Sequence, residues 1–383
     1  MNFGLRGSVA DLRGFPGFDE VRERFVNRDA DGNFIGDSAM TPYEYGGKTY
    51  ALPETQIFPM MFYRKDILAE LGIGLPDTWD DVAVVMSELA FNRMEFGMLP
   101  SEQIFTTLLY QHGGSYYNED ATRSALDSEE AVSAFRHYTE FYTDYKLDRA
   151  TSELERFRTG EAPIIIADYT LYNILQVSAL ELRGVWGMAP VPGRRIPDSC
   201  LGSACSEESC RRDQSCLVDR SVSSNGGGAM QAFTVFAGIG GSGGACVMMD
   251  YSDKKDHVWE FMKWWTSADT QIRFAREMES LMGPAARVPT ANREAFDKLP
   301  WSVADYRTLS YQYNYVRGIP QVPGGYFTYR NVNNAFYAVT TPAADRPAGR
   351  RQMSTPREAL MDRVILINDE IRNKRTEFKL PLD

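Results

Sequence analysis

The chain contains no apolar run of about eighteen residues, so nothing in it reads as a membrane-spanning helix. It also lacks a basic stripe. Its 41 Lys and Arg stand against 52 Asp and Glu, a net charge of −11, which argues against a nucleic-acid partner. Histidine is scarce: His112, His137 and His257 are scattered, with no H-E-x-x-H spacing, so no metal site is indicated. There is no G-x-S-x-G, no P-loop and no G-x-G-x-x-G opening a helix after a strand, so no catalytic residue or cofactor is expected. The start, MNFGLRGSVADLRGF, shows no charged segment followed by an apolar one, which taken alone reads as cytoplasmic. Cysteine is confined to 200, 205, 210, 216 and 246, and the first four, spaced C-x4-C-x4-C-x5-C, lack the paired C-x2-C of a zinc site. Those four lie in a composition break, Arg194 to about Gly244, rich in Ser, Gly, Arg and Cys. It reads as a low-complexity insertion, with a disulfide or metal knot as the alternative. The glycine run Gly238–Gly244 is set aside with it.

What is present is a large amount of core-forming sequence. At 383 residues, 43% hydrophobic and 12% aromatic, the chain suggests two domains. The stretch Tyr45–Val82 is the richest. Gly46-Gly47 reads as a two-residue hairpin turn, and Ile57–Tyr63 as a strand buried on both faces. Gly72 stops a helix over Lys65–Leu71, and Thr78 with Asp81 caps the next one, whose face is Val82, Val85, Met86 and Leu89. Upstream, Phe18, Val21 and Phe25 mark a short amphipathic helix. Downstream, Asp127 to Glu130 cap a helix, and Pro163–Ala167 is a short buried strand with Asp168-Tyr169 just past its end. One helix is expected to run to about Leu281 with Val258, Phe261, Met262 and Trp265 on its stripe. A last helix is capped by Thr355.

Several strings, in this order, carry a resemblance: LPETQ-FPMMFYRKDIL, RFRTGE-PI-IADYT-YN and WEF-KWWTSADTQ. Together they resemble family-1 extracellular solute-binding proteins of ABC importers, the sugar-binding type, and look closest to large Gram-positive members. The resemblance implies an α/β, two-lobe periplasmic-binding-protein-like fold (type II) that closes by a hinge on a sugar or oligosaccharide. It implies ABC permease transmembrane subunits as partners. It also implies an extracellular, cell-surface-anchored or periplasmic location, with any lipid anchor and signal segment not present in this chain. In related proteins the first βαβ units of lobe one precede the point matched by residue 1. The chain is therefore expected to be truncated, to bind weakly or not at all, and to be less stable than a complete protein. The expected division is 1–100 for the remainder of lobe one with a hinge strand, 101–193 for lobe two, 194–244 for the insertion, and 245–383 for the hinge return and shared C-terminal helices.

A sugar site needs flat apolar faces for the pyranose and planar polar groups for its hydroxyls. Asp168 and Tyr169 are the first candidates, because open α/β sheets bind ligands at the carboxyl ends of their strands. The alternative is a core Tyr169 with Asp168 as a cap. Glu54 follows Leu52-Pro53 where the resemblance places the hinge, so it faces the ligand or bonds the hinge backbone. Gln103 and Phe105 are candidates for lobe-two contacts, against ordinary packing. Tyr326, Phe327 and Tyr329 in a Gly-Gly loop could hold rings outward or anchor the loop itself. Arg287 reaches a ligand hydroxyl or carboxylate, or else makes an ion pair. Trp79, Trp186, Trp265 and Trp301 are read as packing residues. The competing functions are a glycoside hydrolase using Glu54 with Asp168, and a binding protein or sensor for a peptide or polyamine.

Overall fold

The computed structural model describes residues 2–28, 34–197, 218–219, 232–235, 239–341 and 354–382. Cys200, Cys205, Cys210 and Cys216, with most of the expected insertion, lie outside these residues.

Local chemistry sets the first elements. Gly46 and Gly47, with φ of 57° and 74°, turn a hairpin in which Tyr45 faces Lys48. The helix Lys65–Leu71 stops at Gly72. Thr78 then accepts from the Asp81 N–H, and its own N–H donates to the Asp81 carboxylate at 2.9 Å, a complete capping box. Such a cap contributes about 1 kcal/mol. The helix it opens, Trp79–Phe91, buries Trp79, Val82, Val85, Met86 and Leu89.

The main sheet has four strands in the order Phe96–Met98, Ile164–Asp168, Pro59–Arg64, Trp186–Ala189. Met61 lies opposite Ile166 in the antiparallel central pair, and Phe96–Met98 runs parallel to Ile164–Ile166. Pro59–Phe62 and Ile164–Ile166 are buried at every position, which is why neither shows alternation in the sequence. Each fully buried Phe or Ile here contributes about 2 kcal/mol.

Two hydrophobic cores result. The larger holds residues from Phe58 to Val191 and from Phe296 to Ile371. The smaller gathers Leu12, Phe18, Val21, Phe25, Met40 and Leu52 with Met248, Trp259 and Met262. The expected division at residue 100 is thereby corrected. Residues 59–98 share a sheet with 164–189, so the chain enters the larger core at Phe58.

Between the cores the chain crosses three times, and the crossings hydrogen-bond side by side. Ile57 N–H donates to the Ser242 carbonyl at 2.7 Å, Glu54 N–H to Gly244 at 2.9 Å, and Gln56 N–H to Pro289 at 2.8 Å. Ala51–Pro53 continues the contact as a strand antiparallel to Ala245–Val247. Part of the supposed low-complexity insertion is therefore ordered: Ile239–Gly241 is a strand parallel to Val316–Gly318, and Ser242–Gly244 is one crossing.

The helix expected to run to Leu281 is two helices, Lys255–Trp265 and Ala268–Met282, with Ser267 capping the second through Thr270 N–H. Trp259, not Phe261, is its large core residue: Phe261 is 55% exposed while Trp259 is 1% exposed. The Trp259 indole donates to the Pro16 carbonyl at 2.9 Å and packs against Phe15.

Candidate functional site

The carboxyl end of Ile164–Asp168 meets the crossing, and this junction gathers the polar groups. Ser101 caps the helix Glu102–Gln111 by accepting from Ile104 N–H at 3.3 Å, which places Glu102 and Gln103 in its first turn. From there the Gln103 amide donates to Asp168 Oδ1 at 3.1 Å and to Ser242 Oγ at 3.0 Å. One side chain thus ties the sheet edge to the hinge. Gln103 and Asp168 were expected here; Ser242 was not, because it lies inside the glycine run.

Two further carboxyls share this edge. Glu153 opens the helix Glu153–Thr159, and its Oε1 accepts from Leu99 N–H at 2.6 Å, just past the strand Phe96–Met98. Burial, with the negative charge of Asp168 nearby, pushes the Glu153 carboxyl up to about 7, against the pull of the Leu99 hydrogen bond. Burial also raises Glu102. Asp168 is exposed as a residue, yet burial around its acid group pushes it above the usual range, partly offset by Gln103. Among the described residues, no Lys or Arg pairs with Glu102, Glu153 or Asp168. The junction therefore presents acceptors in a poorly solvated setting, a good match for ligand hydroxyls and a poor one for anions.

Glu54 sits in the first crossing, half-buried, and its carboxylate accepts from the Trp265 indole N–H. Trp265 is accordingly half-buried at the hinge beside Phe274 rather than a simple core residue. Tyr43 donates to the Gly243 carbonyl at 3.0 Å, and Thr55 Oγ1 accepts from Gly244 N–H at 2.7 Å. The neighbouring Cys246 thiol is pushed up to about 12 by burial and by Glu54, which leaves it unreactive at neutral pH.

The other expected contacts lie elsewhere. Phe105, at 0% exposed, packs among Tyr116, Phe135 and Tyr138, so it offers no face to a ligand. Tyr169 is 1% exposed and stacks on Phe58 at 4.5 Å, with Phe296 and Trp301 around it. The aromatic platform expected there is therefore a core residue. Arg287 makes a buried two-point ion pair with Glu279 at 2.8 and 3.1 Å and lies over Trp301 at 4.5 Å. Its charge is thus paired through Nε and Nη2, while Nη1 is buried without a hydrogen-bond partner. Tyr326 and Tyr329 belong to the helix Tyr326–Thr340 rather than to a loop. Tyr326 donates to Glu370 at 2.6 Å on the surface, while Tyr329 is half-buried near Glu102, with burial raising its phenol. Among the described residues no cluster of His, Cys, Asp and Glu could hold a metal, and no helix is long and apolar enough to cross a membrane.

With this geometry in view, known proteins align with the chain in consistent ways. A family model described as bacterial extracellular solute-binding protein matches residues 2–295. Putative binding proteins of Brucella abortus and Brucella suis are 27% identical over 191 residues, 46% of this chain and 45% of theirs. The match thus spans about half the length of these curated relatives. Among solved structures, the sugar-binding protein MalE of Xanthomonas citri aligns with a TM-score of 0.66 at 15% identity, over 99% of this chain and 83% of its own. The GacH receptor of Streptomyces glaucescens, solved unliganded and with acarbose, gives 0.63 at 17% identity, over 97% and 81%. A Thermotoga lettingae solute-binding protein bound to α-D-tagatose gives 0.61 at 15% identity, over 97% and 82%. At such identities the likeness establishes the periplasmic-binding-protein-like fold.

Proposed function

The chain belongs to the bacterial extracellular solute-binding proteins, and from that premise we propose that it captures a neutral sugar or oligosaccharide between its two lobes. Hinge closure at the triple crossing holds the ligand, and an ABC permease at the membrane receives it. The lobes are taken as the smaller core with its two stretches, about 2–53 and 245–292, and the larger core with Phe58–Val191 and Phe296–Ile371. Saccharide ligands in the solved structures of similar fold support the reading. The observation that carries it is the Gln103 amide joining Asp168 at the sheet edge to Ser242 in the hinge. A hydroxylated ligand entering there would exchange hydrogen bonds with the very group that ties sheet to hinge, which couples occupancy to closure.

The test is calorimetry of the chain against neutral oligosaccharides, oligouronates, short peptides and polyamines. A neutral oligosaccharide is expected to bind one per chain. Oligouronates are expected to bind at least about tenfold more weakly, since an anion must approach unpaired carboxyls. Binding confined to peptides or amines would overturn the sugar assignment. Turnover of any glycan would overturn the assignment as a binder.

A further inference from the structure

A cavity of about 270 Å³ lies where the small core meets the large one, away from the junction just described. Asp37 and Thr41 line it from one side, and Tyr110, Asn314 and Arg317 from the other. Tyr110 stands near the C-terminal end of the same helix that carries Gln103 in its first turn, seven positions and about 10 Å further along. We infer that this cavity is a second binding site, for a small hydroxylated monocarboxylate.

Arg317 is the charged group at the centre of this cavity's chemistry. Its guanidinium lies 4.5 Å above the Tyr110 ring, and among the described residues it has no hydrogen bond and no ion pair. The ring beneath it is fixed, since the Tyr110 hydroxyl donates to the Gly318 carbonyl at 2.9 Å. A half-buried cation held on an aromatic face without a counter-charge is an anion site in waiting. Asp37 on the lining is already engaged by Arg22, and it makes no ion pair with Arg317. A second group also lacks a partner: Asn314 Oδ1 is buried with no hydrogen bond. It needs a donor, and the side chain turned toward the cavity would take one from a ligand hydroxyl. Charge number follows from the surroundings. One free guanidinium matches one negative charge, while the exposed Glu119 at the lining repels a second. The volume sits near the lower end of ligand pockets and suits a molecule of monosaccharide size. Because the lining comes from both cores, an occupant would bridge them.

The experiment is calorimetry with D-gluconate as the probe, beside uncharged D-glucitol and the dianion D-glucarate. Gluconate is expected to bind one per chain, with the other two at least about tenfold weaker. Arg317→Gln should weaken gluconate at least about tenfold, Arg317→Lys less so, and both should leave oligosaccharide binding unchanged. Should Arg317→Gln melt early, Asn314→Asp serves instead: it adds a like charge at the orphaned acceptor and should abolish gluconate binding. Asp168→Ala should leave gluconate binding intact, which separates this site from the saccharide site. Absence of gluconate binding at about 10 mM, equal binding of glucitol, or indifference to both Arg317→Gln and Asn314→Asp overturns the inference.

Discussion

Gly243→Ala is expected to lower the stability of the chain by about 3 kcal/mol, while Gly244→Ala changes it by less than about 1 kcal/mol. The two glycines are neighbours in the same crossing, so composition cannot distinguish them. Geometry does. A β-carbon at Gly243 would overlap the Thr55 carbonyl oxygen and stand 2.8 Å from its carbonyl carbon, both backbone atoms that cannot rotate aside. A β-carbon at Gly244 would meet only Thr55 Oγ1, at an ordinary 3.4 Å. Relieving the first clash requires the crossing strands to separate, with loss of the bonds from Ile57 to Ser242 and from Glu54 to Gly244. Urea denaturation reads the difference directly, and equal midpoints for the two variants would show that the crossings are not packed this closely.

Acid should destabilise the chain through a second feature, a half-buried histidine pair. His112 Nε2 and His137 Nδ1 lie 3.3 Å apart beneath the edge of Trp79. Burial pushes His112 down to about 3, helped by Arg194, His137 and Arg136. Burial pushes His137 down to about 4; Asp80 opposes this, while Arg194 and Arg136 reinforce it. In the unfolded chain both titrate near the ordinary histidine value of 6.5. Below that pH the unfolded chain takes up protons that the native pair refuses. The stability conferred by neutral imidazoles is thus complete above pH 6.5 and is lost as pH falls from there toward 4. Glu153 acts in the opposite sense: raised to about 7 in the fold from 4.5, it stabilises below pH 4.5 and loses that contribution as pH rises through 7. The parent's net slope therefore mixes the two. Comparison with His137→Gln separates them, since only one imidazole remains to be refused its proton. Between pH 7 and pH 4 the parent should lose about 3 kcal/mol more than the variant, measured by denaturant titration at each pH. Parallel pH profiles would mean that the pair is not held neutral in the fold.

Elements whose causes are local are legible in the amino-acid order alone. The Gly46-Gly47 turn, the Thr78–Asp81 capping box and the buried run after Pro59 each depend on residues within a few positions of one another. The hinge depends on contacts at long range. Gly243 is required by Thr55, nearly two hundred positions earlier, so its run of glycines resembles low complexity when read locally. Trp265 fits a helix stripe by spacing, but its indole is claimed by Glu54 in a distant crossing. At the strand end the two neighbours diverge: Asp168 meets Gln103, while Tyr169 turns into an aromatic cluster supplied by Phe58, Phe296 and Trp301. Asp168 is the last residue of its strand, and Tyr169, just past it, is held against the core by its N–H bond to the Phe58 carbonyl at 3.0 Å. Glu102 and Glu153 also carry a local signal, since each is the first residue of a Ser-capped helix at that edge.

The most direct test is titration of a neutral oligosaccharide into the parent chain and into Asp168→Ala. Asp168 is exposed, so its removal spares the core. It also holds one end of the Gln103 bridge, so its removal takes an acceptor from the ligand and releases the tie between sheet and hinge. A single site is expected in the parent and an affinity at least about tenfold lower in the variant, with unchanged melting. Equal affinities would place the saccharide elsewhere on the molecule and contradict capture at the Gln103–Asp168–Ser242 junction.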